Sequence, residues 1–253
     1  MKTACITGAT SGIGEAVAFR LARENMNLII TGRRKERLEK LKKAIETACD
    51  VRVYTLSFDV RNYGEVCRAF DSLPGEWQEM EILVNNAGLA VGLEPLHEGA
   101  VDDWERMIDT NIKGLLYVTR VVSPGMVARQ SGHIINIGSI AGKEVYPHGA
   151  VYCATKHAVD ALSKGMRMDL LPYGVRVTQI CPGAVETEFS LVRFNGDQHR
   201  ADRVYDGFVP LSAADIAEAV GFAVTRPPHV NLQDVLVMPA AQAAATRFHK
   251  TGE

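Results

Sequence analysis

The sequence predicts an α/β fold, a doubly wound parallel β-sheet with helices on both faces. Short continuous apolar runs, which are typical of strands buried on both sides, alternate with segments whose apolar residues recur about every 3.6 positions. Parallel strands need crossover connections, and right-handed crossovers place helices on both faces of the sheet. Hydrophobic residues make up 47% of the 253-residue chain and charged residues 23%, so the chain can build a substantial core.

Seven apolar runs and six helical segments follow one another along the chain. The predicted strands are 3–7, 28–31, 51–58, 82–85, 133–137, 175–181 and 235–238. The predicted helices are 13–24, 35–47, 63–73, 104–126, 151–171 and 213–225. In the highly charged second helix, Leu38, Leu41 and Ile45 share one face, which we expect to turn inward.

No repeat of solenoid length, low-complexity block or flexible linker divides the chain, so residues 1–253 are interpreted as one domain. The least regular stretch, around 189–207, carries many charged residues. We interpret it as a mobile lid beside the functional site, with an ordinary surface excursion as the alternative.

Composition argues against several functional classes. The chain has 28 Lys and Arg residues against 30 Asp and Glu, a net charge of −2, so no overall field attracts it to nucleic acid or to an acidic membrane. No segment reaches the roughly 18 uninterrupted apolar residues of a membrane span, and the first residues enter a glycine loop before a signal-peptide core could form. The five cysteines form no C-x-x-C pair, and the histidines show no metal-ligand clustering. We therefore expect a soluble cytoplasmic protein without a metal, nucleic-acid or membrane partner.

A glycine-rich turn joins the first strand to the first helix. Glycines let the backbone approach a pyrophosphate, whose charge suits the exposed amides and the positive end of the following helix. The spacing is G-x-x-x-G-x-G, which differs from the G-x-G-x-x-G pattern of other dinucleotide folds. A plain turn is the alternative, but the position at the first strand–helix junction favours cofactor binding. The predicted binding residues are Gly8, Ala9, Thr10, Ser11, Gly12, Ile13 and Gly14.

The residues after the second strand indicate which dinucleotide binds. NAD-binding proteins usually place a carboxylate there, which accepts hydrogen bonds from the ribose hydroxyls. Here Arg33 and Arg34 occupy that region, and no carboxylate occurs before Glu36. Guanidinium groups bind phosphate bidentately, so the sequence favours NADP over NAD. The alternative is that both arginines simply begin a solvated helix.

Two further segments follow predicted strands, at the edge where open α/β sheets bind ligands. Asp59 and Val60 end the third strand, where the carboxylate can accept the adenine amino group or, alternatively, cap the next helix. Asn86, Ala87 and Gly88 end the fourth strand and either brace the strand ends and the adenosine or form only a turn.

Four polar residues are the candidates for catalysis. Tyr152 and Lys156 are four positions apart on a predicted helix and therefore share one face. An ammonium favours the phenolate and moves the phenol, with an ordinary pKa of about 10, toward acid/base chemistry near neutrality. Ser139 follows the fifth strand and can hold a substrate oxygen against the phenol, and Asn111 can organise water behind the lysine. A surface contact on the helix is the alternative for the Tyr/Lys pair.

Together these motifs resemble the short-chain dehydrogenase/reductase family over essentially the whole chain. The resemblance implies a Rossmann-like fold, with Tyr152 as the acid/base and Lys156 lowering its pKa while binding the nicotinamide ribose. Both residues therefore also count as cofactor-binding. It further implies that Ser139 positions the reacting oxygen, that Asn111 supports a proton-relay water, and that the protein is a homotetramer or homodimer. The segment after the sixth strand resembles the family's nicotinamide contact, which here comprises Pro182, Gly183, Val185 and Thr187.

A narrower resemblance is to the NADP-dependent serine 3-dehydrogenase and 3-hydroxy acid (L-allo-threonine) dehydrogenase branch. It depends on segments 31–34, 73–77, 86–90, 107–111 and 188–197. It implies oxidation of a small 3-hydroxy acid at C3, with Ser139, Tyr152 and Arg193 binding the substrate. Arg193 is the candidate partner of the substrate carboxylate, and a solvated charge is its alternative. Two other functions stay open, a reductase of another carbonyl class and a non-catalytic nucleotide-binding protein.

Overall fold

The computed structural model describes residues 1–194 and 196–251. Seven strands, numbered in chain order, form the main sheet: β1 (Thr3–Ile6), β2 (Asn27–Gly32), β3 (Val53–Ser57), β4 (Ile82–Asn85), β5 (Gly132–Ile137), β6 (Val175–Pro182) and β9 (Asp234–Val237). Their order is β3-β2-β1-β4-β5-β6-β9, and every neighbouring pair is parallel. Two short strands, β7 (Val185–Glu186) and β8 (Leu211–Ser212), form a separate parallel pair.

Helices cover both faces of this sheet. They are α1 (Gly12–Ala22), α2 (Lys35–Ala48), α3 (Tyr63–Asp71), α4 (Val101–Ile108), α5 (Leu115–Ala128), α6 (Ala150–Leu170), α7 (Glu188–Arg193), α8 (Gln198–Arg203) and α9 (Ala213–Val224). None of the helices within the described residues is both long enough and apolar enough to cross a bilayer.

Two apolar layers hold the helices to the sheet. One face packs α1, α2 and α9 against strand residues such as Ile6 and Ile30, and the other packs α3 and α5 against residues such as Ile29 and Leu83. Neighbouring residues of β2 thus serve opposite layers, because successive strand side chains point to opposite faces. Leu38, Leu41 and Ile45 of α2 are buried, as the helical pattern predicted.

The predicted helical segment 104–126 is helical in the structure, but it contains a change of helix type that the sequence pattern did not predict. A π-helical turn, Asp109–Gly114, separates α4 from α5. Such a turn inserts one residue into the helical ladder and re-aims the side chains around it, which apolar periodicity does not reveal. Asn111 lies inside this turn and is buried.

The chain changes direction at the centre of the sheet. From β1 it runs outward through β2 to β3, then returns to β4 on the other side of β1 and runs outward again. A crevice opens beyond the carboxyl ends of β1 and β4, which is where open α/β sheets bind ligands.

Candidate functional site

A cavity of about 340 Å³ lies in this crevice. Most of the site residues predicted from the sequence line it, at the ends of six strands of the main sheet and in α6. The predicted residues that do not line it are Ala9, Gly14, Asn111 and Arg193. The topology therefore brings together segments that are far apart in the sequence, such as the glycine loop and Thr187.

Backbone geometry shapes the glycine loop. Gly8 and Gly12 have φ values of +66° and +55°, the left-handed region that favours glycine. A Cβ on Gly14 would lie 2.3 Å from the Gly8 carbonyl oxygen, so only glycine lets α1 begin this close to the loop. Gly14 thus positions the loop without lining the cavity.

Asn86 braces the same loop from the end of β4. Its Nδ2 donates to the carbonyl oxygens of Thr7 at 2.9 Å and Gly8 at 3.1 Å. The Thr7 hydroxyl accepts hydrogen bonds in return from the backbone amides of Asn86 and Ala87, both at 3.0 Å. Of the two interpretations of this segment, the bracing one agrees with these contacts.

Arg34 is tied to the loop rather than extended into solvent. Its Nη2 donates to the hydroxyls of Thr10 at 2.8 Å and Ser11 at 2.9 Å, and its Nε donates to Thr10 at 3.1 Å. Its Nη1 donates to Glu188 Oε2 at 3.2 Å. Arg33 is exposed and lines the cavity beside it. These contacts preorganise a cation at the carboxyl end of β2.

Asp59 lines the cavity but does not cap α3. Asn62 caps that helix by accepting from the Glu65 amide, and Asp59 instead binds the guanidinium of Arg61 at 2.6–3.0 Å. Burial acts to raise the pKa of Asp59, but the hydrogen bonds and charge of Arg61 outweigh it and hold this pKa below its ordinary value. The carboxylate is therefore ionised and able to accept a hydrogen bond.

The segment after β6 is held by Gln242 from the end of the chain. The Ala184 amide donates to Gln242 Oε1 at 2.8 Å, and a Cβ on Gly183 would lie 2.5 Å from the same oxygen. Thr187 caps α7 by accepting from the Phe189 amide at 3.2 Å. Pro182, Gly183, Val185 and Thr187 all line the cavity, opposite the glycine loop.

Tyr152 and Lys156 lie on the buried face of α6. The Lys156 ammonium is 5.9 Å from the centre of the Tyr152 ring and donates to the Ile137 carbonyl oxygen at 3.0 Å. Burial lowers the pKa of Lys156 to about 8. Ser139 follows β5, and its hydroxyl accepts from the Ala141 amide at 3.1 Å.

The acidity of Tyr152 depends on burial more than on its lysine neighbour. Burial raises the pKa of Tyr152 above its ordinary value, while the charge of Arg193 and the Ser139 hydroxyl act to lower it. The ammonium of Lys156 is instead engaged by the carbonyl oxygen of Ile137. In this arrangement the cation that acts most on the phenol is thus Arg193, which the sequence had assigned to substrate binding alone.

Asn111 joins α6 to the loop after β4. Its Oδ1 accepts from the Leu89 amide at 2.9 Å, and its Nδ2 donates to the Leu89 carbonyl at 2.8 Å and the Thr155 hydroxyl at 3.0 Å. A Cβ on Gly88 would lie 3.2 Å from Asn111 Oδ1 and 3.6 Å from Lys156 Nζ. Glycine therefore keeps the space between these two polar groups open.

Arg193 approaches the Tyr152 phenol from α7. Its guanidinium carbon lies 5.4 Å from the Tyr152 ring centre and 5.6 Å from that of Tyr146, and it donates a hydrogen bond to the Tyr146 hydroxyl. Its Nε is buried and has no hydrogen-bond partner among the residues that the structure describes. Arg193 therefore resembles a binding cation more than a solvated surface charge.

Sequence reasoning missed three residues around this centre. Tyr146 holds the Arg193 guanidinium, and Phe189 packs on Tyr152 with ring centres 5.7 Å apart. Glu188 pairs with Arg34 and Arg37. The predicted irregular stretch 189–207 also contains helix α8 and most of α7, whereas Asn195 lies outside the described residues. Helices of six residues are too short to show a periodic apolar pattern.

Fold and site together define a nucleotide-dependent dehydrogenase. The glycine loop lies at the first crossover of a doubly wound sheet, and a buried phenol, ammonium and serine hydroxyl lie at the other end of the same cavity. A family model described as short chain dehydrogenase matches residues 2–196, and the chain belongs to this family.

Comparisons with individual proteins agree with this family assignment. The chain is 50% identical over 241 residues to the NADP-dependent 3-hydroxy acid dehydrogenase YdfG of Salmonella typhi, which covers 95% of this chain and 96% of the relative. It is 46% identical over 239 residues to sulfoacetaldehyde reductase 2 of Chromohalobacter salexigens, which covers 94% of each. A solved structure of the closed form of serine dehydrogenase complexed with NADP+ superposes with a TM-score of 0.91 at 48% identity, which covers 98% of this chain and 99% of that one. The family and the fold class predicted from the sequence are confirmed.

Proposed function

We propose that the protein is an NADP-dependent oxidoreductase acting on the C3 hydroxyl of a small 3-hydroxy acid such as serine or L-allo-threonine. The observation that carries this proposal is the position of Arg193. The Arg193 guanidinium carbon lies 5.4 Å from the ring centre of Tyr152, the candidate acid/base. Its Nε is buried and has no hydrogen-bond partner among the described residues. In a 3-hydroxy acid the carboxylate carbon and the reacting carbon are only two bonds apart. One cation beside the phenol can therefore bind the carboxylate while the hydroxyl reaches Tyr152.

The residues at the other end of the cavity fit NADP. Gly8, Gly12 and Gly14 leave room for a pyrophosphate against the loop amides. Thr10 and Ser11 hold the Arg34 guanidinium at the cavity, where a ribose phosphate would meet it. A carboxylate that would accept from an unphosphorylated ribose is absent between β2 and Glu36, within the described residues. The relatives named above that are NADP-dependent support the same cofactor.

In the proposed reaction, Tyr152 moves a proton at its phenolic oxygen. During oxidation the phenolate accepts the proton of the substrate hydroxyl, and during reduction the phenol returns it. The bound cofactor supplies the hydride acceptor or donor at its nicotinamide ring. Ser139 orients the reacting oxygen, and Lys156, whose pKa of about 8 leaves it mostly protonated at neutral pH, binds ribose hydroxyls. Asn111 keeps Lys156 and the loop after β4 in register through Leu89 and Thr155.

One of the relatives favours a second anionic substrate, a sulfonated aldehyde. A guanidinium can bind a sulfonate as well as a carboxylate, and a relative of 46% identity is named a sulfoacetaldehyde reductase. Reduction of a sulfonated aldehyde would use the same phenol and the same cation.

An initial-rate screen distinguishes these substrates. NADPH absorbance is followed with NADP and L-serine, D-serine or L-allo-threonine, and with NADPH and sulfoacetaldehyde, with NAD and NADH in parallel. The proposal expects the largest kcat/KM for a 3-hydroxy acid with NADP. Faster turnover of sulfoacetaldehyde would favour the second substrate, and a preference for NAD would contradict the cofactor assignment.

We further propose that the described residues of 189–207 act as a lid and that the protein forms a homotetramer or homodimer. The lid is supported by the two short helices whose first member carries Phe189 and Arg193 to the site. Self-association is supported by β9, which pairs with β6 on one side and presents Leu236, 51% exposed, at the edge of the sheet. Light scattering after gel filtration measures the oligomer, and a monomer at micromolar concentration would contradict it.

A further inference from the structure

The carboxylate of Glu188 lies against the arginines at the cofactor end of the cavity. Its Oε2 accepts from Arg34 Nη1 at 3.2 Å, and its Oε1 accepts from Arg37 Nη1 at 2.8 Å. Glu188 is the first residue of α7, so its contact with Arg37 joins α7 to the start of α2 across 151 positions of sequence. Both Glu188 and Arg34 line the cavity.

Glu188 uses the part of Arg34 that a phosphate would use. The Nε and Nη2 of Arg34 already donate to Thr10 and Ser11, which leaves Nη1 to the carboxylate. A phosphate monoester carries a charge of about −1.5 to −2 at neutral pH and seeks the same guanidinium donors. Two anions cannot share these donors without strong repulsion, so phosphate binding must displace the carboxylate. Burial acts to raise the pKa of Glu188, but Arg37 and Arg34 outweigh it and lower this pKa, so the carboxylate is charged near neutrality.

The same short helix reaches the chemical end of the site. Phe189 packs on the Tyr152 ring at 5.7 Å, and Arg193 lies 5.4 Å from it. The six residues of α7 thus contact the arginines at one end and the candidate acid/base at the other. Release of Glu188 frees the first residue of the element that carries both of these side chains.

We propose that Glu188 is an internal competitor for the 2′-phosphate of the cofactor and so sets how strongly the protein prefers NADP to NAD. The proposal rests on the proposed NADP dependence. It assigns part of the control over cofactor choice to the first residue of α7, rather than to the arginines alone. The displacement of Glu188 by the phosphate would also make the position of α7 depend on which cofactor is bound.

Calorimetric titration with two nucleotides tests this without any turnover. Adenosine 2′,5′-bisphosphate and adenosine 5′-monophosphate differ only in the 2′-phosphate, and each is titrated into the wild-type protein, Glu188→Gln and Glu36→Gln. Glu36 is the matched control, since it lies beside Arg37 in the first turn of α2, is exposed and forms no ion pair with a described residue. Both changes remove one negative charge and keep the side-chain shape.

The proposal expects Glu188→Gln to bind the bisphosphate about threefold more tightly than Glu36→Gln does, the scale of one exposed ion pair, with the monophosphate unchanged. Equal or weaker binding of the bisphosphate by Glu188→Gln would overturn the proposal. Equal binding would mean that the carboxylate has no effect on phosphate affinity, and weaker binding would mean that it preorganises the arginines. A wild-type protein that binds both nucleotides equally would instead contradict the proposed NADP preference. The failures of the two proposals are therefore distinguishable.

Discussion

The two ends of the cavity differ in the chemical groups that form them. At the cofactor end, backbone and exposed charge dominate, with two positive-φ glycines, loop amides and arginines whose side chains are 43–47% exposed. At the chemical end, Tyr152, Lys156 and Asn111 are all less than 10% exposed, and Tyr152 packs in an apolar cluster. Screened charges contribute little energy each, whereas buried polar groups act strongly on one another. Changes at the chemical end should therefore cost far more activity than changes at the cofactor end.

The largest effect is expected from Tyr152→Phe. The change removes the phenolic oxygen that holds the proton but keeps the ring that packs on Phe189. We expect kcat to fall about 10³-fold, the typical contribution of a positioned acid/base, while NADP binding persists. Initial rates and calorimetric titration of the cofactor measure the two quantities. Tyr146→Phe is the matched control, and equal losses in both variants would contradict the assignment of Tyr152.

Arg193→Ala should act mainly on the affinity for substrate. If the guanidinium binds the carboxylate, its loss removes a charge-assisted interaction, and we expect KM for L-serine to rise about 10- to 100-fold. Arg200→Ala removes another lid cation, one that lies over Phe194, and serves as the control. An unchanged KM in Arg193→Ala would eliminate carboxylate binding by this residue. Rates with an uncharged alcohol should change much less.

Arg34→Ala should affect cofactor choice and little else. We expect KM for NADP to rise about tenfold and KM for NAD to stay within about twofold, because only NADP carries the phosphate. The effect should shrink as salt is added, since this guanidinium is 43% exposed and open to screening. Equal increases for both cofactors would indicate that Arg34 supports the loop through Thr10 and Ser11 instead.

The smallest effect is a shift in pH dependence. Oxidation needs the phenolate, so its rate should increase as pH rises toward the pKa of Tyr152. Because the charge of Arg193 acts to lower this pKa, Arg193→Ala should move the midpoint of the profile to higher pH, by less than about one unit. Arg193→Lys keeps the charge and should restore most of the shift. The profile is measured as kcat at saturating substrate, and a shift to lower pH would contradict the electrostatic role.

Sequence patterns predicted the scaffold well because period and burial are linked. The inward face of α2 and the strands of the main sheet follow from where apolar residues recur. Three further features could be predicted because each is a local motif at a strand end or on one helix turn. They are the glycine loop, the arginines after β2 and the Tyr152–Lys156 interval. The placement of these residues in one cavity agrees with that interpretation, and their individual roles stay predictions.

Contacts between distant segments could not be predicted in this way. The cap of α3 was assigned to Asp59 as an alternative, but Asn62 fills it, because Arg61 engages the aspartate. The π-helical turn around Asn111 leaves no trace in a pattern of apolar residues. Tyr146 and Glu188 carry no motif, and their importance follows only from the arginines that they meet.

By itself, the order of amino acids determined the winding of the sheet, the nucleotide loop and the helix that presents a phenol and an amine side by side. Each of these depends on residues within a few positions of one another, where backbone preference and side-chain period act directly. Only the tertiary structure decided that α7 lies across the crevice. It places Glu188 on Arg34 and Arg37. It places Arg193 beside Tyr152. Those pairings join segments 41 to 154 positions apart, and such contacts arise from packing of the whole chain rather than from local preference.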